Sequence, residues 1–188
     1  MASQTPTASN DRDHLLAVRC QLGEDAAWRE LVARWQPRLW RHALGMLRQR
    51  AAAEETLQAI WLQVVRGLGR LREPERLSAW LHGVARRVIQ ERIRTSYTAA
   101  EQAGSLADEV AATDADPALH LELREEILLA LETLPPLDRE AIVLHYLNEL
   151  PVDAVANVCG VPVGTIKSRL HRGRARLRVR LGTLERTS

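Results

Sequence analysis

The sequence contains no phenylalanine and little sulfur, and these absences restrict the kind of protein it can be. Its 188 residues include only two cysteines, Cys20 and Cys159, far apart and without another Cys or a His at metal-ligand spacing. A disulfide framework and a zinc site are therefore not indicated. No apolar run approaches the roughly 20 residues of a membrane span, and the polar N-terminus is not typical of a signal peptide. We expect a cytoplasmic protein without a metal or other cofactor.

Catalytic patterns are also missing. The six histidines are scattered, no serine stands in a nucleophile elbow, and no glycine-rich phosphate loop occurs. His42, His82 and His145 fall on amphipathic segments, where we interpret them as surface or boundary residues. The sequence therefore predicts a binding protein and not an enzyme.

Charge divides the chain into three blocks, although the net charge is only +2. Residues 1–98 hold sixteen arginines and ten acids, residues 99–149 hold two arginines and twelve acids, and residues 150–188 hold eight bases and two acids. Two basic blocks around an acidic one are typical of two surfaces that contact a polyanion. The layout leaves open whether the free protein closes its basic domains on the acidic middle. All five tryptophans lie between positions 28 and 80, which indicates two separate packing units.

The C-terminal block has the pattern of a helix-turn-helix. Two amphipathic segments meet at residues 159–162, where Gly160 can take a positive φ and Pro162 can begin the next helix. The helix predicted over residues 163–181 combines a narrow apolar stripe with a basic face. That face consists of Thr165, Lys167, Ser168, Arg169, His171, Arg172 and Arg176. Because such a helix fits the major groove of B-DNA, the face predicts DNA binding, with a solvated basic helix end as the plainer alternative.

The remainder of the chain predicts more helices. Apolar side chains repeat at helical spacing over residues 12–22, 28–46, 51–68 and 77–97, after a disordered tail over residues 1–10. Pro37 should kink the second of these helices or form a joint in it, in preference to a true break. Residues 98–117 contain several acids and no base, which predicts a flexible acidic linker. Asp116 and Pro117 then begin a helix, and further helices over residues 137–147 and 152–159 complete a C-terminal bundle.

The predicted fold is therefore all-α. Two small helical domains, residues 11–97 and 118–188, are joined by the flexible acidic linker, and the C-terminal domain is a helix-turn-helix.

Several stretches of the sequence resemble a known family. VPVGTIKSRLHRGRARL, with LPPLDREAIVLHYLNELP just before it, is similar to the C-terminal domain of extracytoplasmic-function (group 4) sigma factors, the specificity subunits of bacterial RNA polymerase. WRELVARWQPRLWRHALGML, AAEETLQAIWLQVV and RLSAWLHGVARRVI are similar to the sigma domain that grips the polymerase and opens the −10 element. The resemblance implies two partners: core RNA polymerase, through its β′ clamp helices and β flap, and promoter DNA. It leaves open whether an anti-sigma factor holds the chain inactive.

The resemblance also implies roles for individual residues. Contacts to the −35 element fall on Lys167, Ser168, His171 and Arg172, with Thr165, Arg174 and Arg176 on phosphates. Polymerase binding falls on Glu54, Glu55 and Gln58, with Leu57 and Trp61 as apolar anchors. Contacts to the −10 element fall on Arg76, Arg86, Arg87, Gln90 and Arg94. Two positions depart from the family pattern: Ala59 stands where an acid is usual, and Arg87 stands where Asn is often found.

Two other classes of protein compete with this interpretation. A stand-alone helix-turn-helix regulator accounts for the C-terminal half but leaves the first ninety-eight residues unexplained. A helical adaptor without nucleic acid predicts binding with little salt dependence, whereas DNA contacts release counterions and weaken steeply with salt.

Overall fold

The computed structural model describes residues 6–103 and 125–184, with the side chains of residues 11–96 and 125–180, and all regular elements in these ranges are helical. The N-terminal unit comprises α1 (Pro6–Gln21), α2 (Asp25–Leu47), α3 (Arg50–Gly67) and α4 (Leu77–Ala103), with the 3-10 turns Leu68–Arg70 and Pro74–Arg76 between α3 and α4. The C-terminal unit comprises α5 (Glu125–Glu132), α6 (Pro136–Ile142), a π-helical turn (Val143–Leu147), α7 (Val152–Cys159) and α8 (Val163–Leu184). None of the described helices is long and apolar enough to cross a membrane.

Both ends of the N-terminal unit differ from the sequence prediction. α1 begins at Pro6, so residues 6–10 are helical where a disordered tail was predicted. A proline at the first helical position lacks only a donor that the helix end leaves unbonded. α4 continues to Ala103, so residues 98–103 extend a helix instead of starting the linker. The rest of the predicted linker, including the helix start at Asp116 and Pro117, lies outside the described residues.

α2 runs through Pro37 without a break. A proline inside a helix costs about 3 kcal/mol, because one backbone hydrogen bond is lost and the ring crowds the preceding turn. The same helix buries Leu31, Trp35 and Leu39, each at most 1% exposed. Burial of each such side chain contributes roughly 1.5–3 kcal/mol, so the packing of α2 outweighs the cost of its proline.

The turn between α7 and α8 has the conformation that the sequence predicted. Gly160 lies in the left-handed region with φ 67° and ψ 37°. The N–H of Val161 donates to the carbonyl of Ala156 at 3.1 Å, which satisfies a carbonyl at the end of α7. α8 can therefore turn away from α7 directly after Gly160.

α8 is seated on α6 and α7 along a narrow stripe. Ile166 and Leu170 are 0% and 5% exposed within the core. One turn further, a Cβ at Gly173 would stand 2.7 Å from Cγ1 of Ile142, so only glycine permits this approach of α8 to α6. Val163, predicted for the same stripe, is instead 41% exposed. The stripe fixes which face of α8 is turned outward.

Two histidines predicted at the surface are buried in the N-terminal unit. His42 of α2 and His82 of α4 are 0% and 1% exposed, with ring centroids 6.1 Å apart. Neither ring has a hydrogen-bond partner among the described residues. Burial, reinforced by nearby positive charge, lowers the pKa of His42 to about 3 and that of His82 to about 4. Both rings are therefore neutral at neutral pH and act as core residues.

The N-terminal and C-terminal units share one hydrophobic core, although the uneven distribution of tryptophan indicated two separate cores. Buried apolar side chains of both units belong to one continuous cluster. α2 contacts the π-helical turn and α6, and α4 contacts α7. The units therefore pack directly on each other.

Candidate DNA and polymerase interfaces

The basic face of α8 lies on the outside of the C-terminal unit. Thr165 is half-buried, and the other six residues predicted for the −35 element are exposed: Lys167, Ser168, His171, Arg172, Arg174 and Arg176. α8 itself carries no acidic residue. Arg169, which the basic pattern also included, is only 9% exposed and flanks the packed stripe. The exposed face therefore has charge of one sign.

The side chains of this face differ in their partners. Arg172 donates to both carboxylate oxygens of Asp138 on α6, at 2.8 and 3.2 Å, and these bonds raise its pKa. Arg174 donates to the hydroxyl of Tyr146 at 3.4 Å. Ser168 donates to the carbonyl of Gly164 at 3.0 Å, within its own helix. These three side chains are partly committed to contacts within the protein.

Three other side chains of the face make no such contacts in the part of the chain that the structure describes. Among the described residues, no hydrogen bond or ion pair engages the side chains of Lys167, His171 or Arg176. Lys167 and His171 are one helical turn apart and therefore lie on the same side of α8. They are the side chains best placed to reach a ligand on this face.

The residues predicted for the −10 element do not form one surface. Arg86 and Gln90 of α4 face the C-terminal unit, where Arg86 donates to Glu140 of α6 at 2.9 Å. Arg76 pairs at 2.8 Å with Glu73 in the turn before α4. The set is thus split between two faces of α4 and the turn that precedes it.

The opposite face of α4 borders a groove shared with α3. The groove has a volume of about 650 Å³, with Val84 and Val88 among its lining residues. Arg87 lines the groove and has no side-chain partner among the described residues. Arg94, about two helical turns further along α4, pairs with Glu91. Of the predicted −10 residues, Arg87 alone lines this groove.

The residues predicted for polymerase binding lie along α3, with one correction. Glu55 and Gln58 are exposed, and Glu55 pairs with Arg92 of α4 at 2.8 Å. Glu54 is half-buried and pairs with Arg50 at 3.2 Å. Leu57 is only 8% exposed and belongs to the core, so it cannot serve as an apolar anchor for a partner.

Sequence reasoning missed the apolar side chains that α3 does expose. Leu62 and Val65 are 56% and 59% exposed, whereas Trp61 is half-buried. Together with Glu55 and Gln58 they follow the spacing of one helical stripe. The anchor roles of Leu57 and Trp61 were implied by the family resemblance, which did not point to Leu62 or Val65.

Two buried acids on α6 were also missed. Asp138 and Glu140 are 4% and 2% exposed, and each binds an arginine from another helix. Acids in an otherwise apolar helix are rarely buried unless they are paired, so the segment LDREA carried a weak signal. Their partners could not be identified without the tertiary structure.

Comparisons with known proteins agree with this architecture. Residues 31–97 match Sigma-70 region 2, and residues 124–177 match Sigma-70, region 4. The RNA polymerase sigma factor CarQ of Myxococcus xanthus is 33% identical over 87% of this chain and 94% of its own length. The ECF RNA polymerase sigma factor SigW of Bacillus subtilis is 30% identical over 86% of this chain and 92% of its own length.

A solved structure shares the fold of both units. The sigma factor RpoE of Bartonella quintana, crystallised in complex with the anti-sigma factor NepR, has a TM-score of 0.71 and 26% identity. The match covers 82% of this chain and 96% of that one. The chain therefore belongs to the extracytoplasmic-function RNA polymerase sigma factors of the sigma-70 family. It binds core RNA polymerase and promoter DNA and directs promoter-specific transcription.

Proposed function

We propose that the exposed face of α8 reads the −35 element in the major groove. The observation that carries this proposal is that the exposed face of α8 has charge of one sign and contains no acid. Ile166 and Leu170, on the other side of α8, are buried and hold this face outward. Lys167 and His171 are the strongest candidates for base contacts, because their side chains are exposed and uncommitted. Arg174 and Arg176 are placed for phosphates, which fix position and carry no sequence information directly. Arg172 orients α8 through Asp138 as well as facing DNA.

The exposed stripe of α3 is the proposed docking surface for the β′ clamp helices. Glu55 can exchange its partner Arg92 for an arginine of the polymerase, since both bonds are charge-assisted. Leu62 and Val65 supply the apolar contact that buried Leu57 cannot. α4 and the turn before it contact the −10 element in this proposal.

No chemical step is assigned to the chain itself in this proposal, since RNA synthesis belongs to the polymerase in the bacterial cytoplasm. An anti-sigma factor is a further proposed partner, supported by the complex in which the structural relative was solved.

Selection of promoter sequences by reconstituted holoenzyme tests the −35 proposal. Wild-type chain and Lys167→Ala, each with purified core enzyme, are offered a randomised −35 region. We expect Lys167→Ala to relax the base preference at one or two positions of the −35 element, while the preference at its other positions stays intact. Val179→Ala, at a site that is 73% exposed on α8, is the matched control. An unchanged preference in Lys167→Ala would remove it from base reading, and no transcription with the wild-type chain would reject the sigma-factor role.

Capture by core enzyme tests the α3 proposal. Glu55→Ala combined with Gln58→Ala should weaken co-purification with core enzyme, and Leu62→Ala should do so separately. Leu22→Ala, at an exposed leucine in the turn after α1, is the control because it removes the same side chain elsewhere. Equal capture of all variants would eliminate this surface.

A further inference from the structure

The connection between α3 and α4 is tied to the end of α1 by one side chain. Gln21 is the last residue of α1 and lies 47 and 50 residues before Leu68 and Leu71. Its Nε2 donates to the carbonyl of Leu68 at 3.0 Å and to that of Leu71 at 2.8 Å. Both hydrogens of the amide nitrogen are therefore used on this connection. The opposite orientation of the amide would place its oxygen against two carbonyl oxygens, so the bonds also fix which way the amide points.

The two carbonyls stand at the two ends of a single 3-10 turn. The turn covers Leu68–Arg70, and the N–H of Leu71 closes it by donating to the carbonyl of Leu68 at 3.0 Å. In the part of the chain that the structure describes, Gln21 is the one donor to the carbonyl of Leu71. A single 3-10 turn has poor hydrogen-bond geometry, so a donor that bridges its ends stabilises it.

Apolar contacts hold the two ends of the connection and leave its middle at the surface. Leu68 and Leu77 are both 0% exposed. A Cβ at Gly67 would stand 2.9 Å from Cζ2 of Trp80, so glycine lets α3 end close against that ring. α1 contacts both 3-10 turns of the connection. Between these anchors, none of the side chains of residues 69–76 is buried.

Two arginines of this exposed stretch make no contacts of their own. Arg70 and Arg72 are exposed, and no hydrogen bond or ion pair engages either side chain among the described residues. Arg76, by contrast, pairs with Glu73 at 2.8 Å. Arg70 is the last residue of the 3-10 turn that Gln21 bridges, and Arg72 lies two residues beyond it. The backbone that carries both free guanidinium groups is therefore the backbone that Gln21 holds.

We infer that Gln21 is a positioning residue for −10 recognition, because it holds the backbone of Arg70 and Arg72 in one conformation. The inference rests on the proposed contact of this turn with the −10 element. Arginine contacts to phosphates fix the register of a strand, and bases are read at defined places beside them. A connection without its bridge must be ordered when DNA binds, at a cost in affinity. α1 thereby takes part in −10 recognition without touching DNA.

One variant removes the donor and keeps the rest of the side chain. Gln21→Met has a similar length and helix propensity but cannot donate, and the exposed position of Gln21 leaves the core unchanged. Gln21→Lys keeps a flexible donor that can reach both carbonyls, so it should restore function. Gln36→Met and Gln36→Lys are the matched controls, because the Gln36 side chain of α2 makes no hydrogen bond among the described residues.

Hydrogen exchange in the full-length chain tests whether the amide holds the connection. Deuterium uptake is followed by mass spectrometry in a peptide that covers residues 68–77. Gln21→Met should raise the exchange rate of this peptide about tenfold, as expected for the loss of one or two hydrogen bonds, and leave the peptides of α2 and α3 unchanged. Gln21→Lys and both Gln36 variants should match the wild type. An unchanged rate in Gln21→Met would overturn the inference.

Promoter selection by reconstituted holoenzyme tests the consequence for DNA. Core enzyme with each variant is offered templates randomised in the −10 element and, separately, in the −35 element. Gln21→Met should lower the enrichment of preferred −10 bases about tenfold, the value of roughly one base contact, while the −35 preference and capture by core enzyme stay as in the wild type. Gln21→Lys should recover the −10 preference, and Gln36→Lys should show that added charge alone does not change it.

Three results of this selection would contradict the positioning role. An unchanged −10 preference in Gln21→Met would overturn it directly. Equal loss of the −10 and −35 preferences would mean that Gln21 only stabilises the fold. A loss in Gln21→Lys as large as that in Gln21→Met would show that the donated hydrogen bonds are not the cause.

Removal of the arginines of the connection separates failure of this inference from failure of the proposed function. Holoenzyme that carries Arg70→Ala, Arg72→Ala and Arg76→Ala together should open promoter DNA less well, as read by a fluorescent base in the −10 element. Normal opening by this triple variant would reject the −10 role of the connection, and the inference with it. Defective opening by the triple variant together with a normal −10 preference in Gln21→Met would reject the role of Gln21 alone.

Discussion

α4 and α8 are both long, arginine-rich helices, yet the protein uses their basic faces differently. On α8 the exposed face carries Lys167 and His171 without partners in the described structure. On α4 one face is covered by the C-terminal unit, where Glu140 neutralises Arg86. Helical periodicity is similar in the two segments. The difference comes from Glu140, which lies 54 residues from Arg86 in the sequence and covers that arginine in the folded chain, whereas Asp138 engages only Arg172 on α8.

The largest expected effect concerns the buried apolar side chains through which α8 packs on α6 and α7. Ile166→Ala should lower the free energy of unfolding by about 2–5 kcal/mol, because it leaves a cavity beneath the helix. Urea unfolding measures this loss, and binding of −35 duplex should fall with it. Val179→Ala on the exposed side should change stability by less than about 0.5 kcal/mol. Equal stability of both variants would mean that α8 does not depend on its stripe.

Acid should destabilise the N-terminal unit through the buried imidazoles of His42 and His82. The unfolded chain takes up protons near pH 6.5, whereas His42 and His82 in the folded chain resist them to about pH 3 and 4. Stability is therefore present above pH 6.5 and is lost as the pH falls toward 4, by on the order of a few kcal/mol. Positive charge from Arg86 and Arg38 acts in the same direction.

Urea unfolding across a pH series measures this loss. His42→Leu should show a shallower dependence on pH, because one proton uptake is removed. His14→Gln, at an exposed position of α1, should retain the slope of the wild type. Identical slopes in all three chains would contradict the assignment of neutral, buried imidazoles.

Substitutions of Lys167 and of Arg172 should distinguish a residue of α8 that only binds DNA from one that also stabilises the fold. Lys167→Ala should weaken −35 binding by about 1–3 kcal/mol if it reads a base, with the melting temperature unchanged. Arg172→Ala should lower the melting temperature as well, because Asp138 is left buried without its counterion. Thermal unfolding and duplex titration measure the two effects. Equal melting temperatures for the two variants would contradict the structural role of Arg172.

The smallest effect is expected in the turn before α4. Arg76 and Glu73 are 72% and 54% exposed, and exposed pairs contribute little. Arg76→Ala should change the free energy of unfolding by less than about 0.5 kcal/mol. Promoter opening by holoenzyme then reports on DNA contact alone. A clear loss of stability would show that the turn depends on this pair.

Local patterns in the sequence predicted the parts of the fold that are made locally. The turn at Gly160, the bounds of α7 and the passage of α2 through Pro37 agree with the structure, because each depends on backbone preferences within a few residues. Burial was predicted less well. His42 and His82, predicted as surface or boundary residues, are buried, and so is Leu57, which the family resemblance implied as an anchor for the polymerase. Each error concerns which side of a helix meets a neighbour, and that depends on other segments.

The sequence by itself determined the helices, the helix-turn-helix and the basic faces, since these follow from side-chain spacing and from the conformational limits of glycine and proline. The tertiary structure alone decided which basic face is covered. Glu140 and Asp138 are ordinary helix acids in the sequence, and they bind Arg86 and Arg172 because folding brings distant helices together. A buried charge needs a partner of opposite sign, and only the packed chain can supply one.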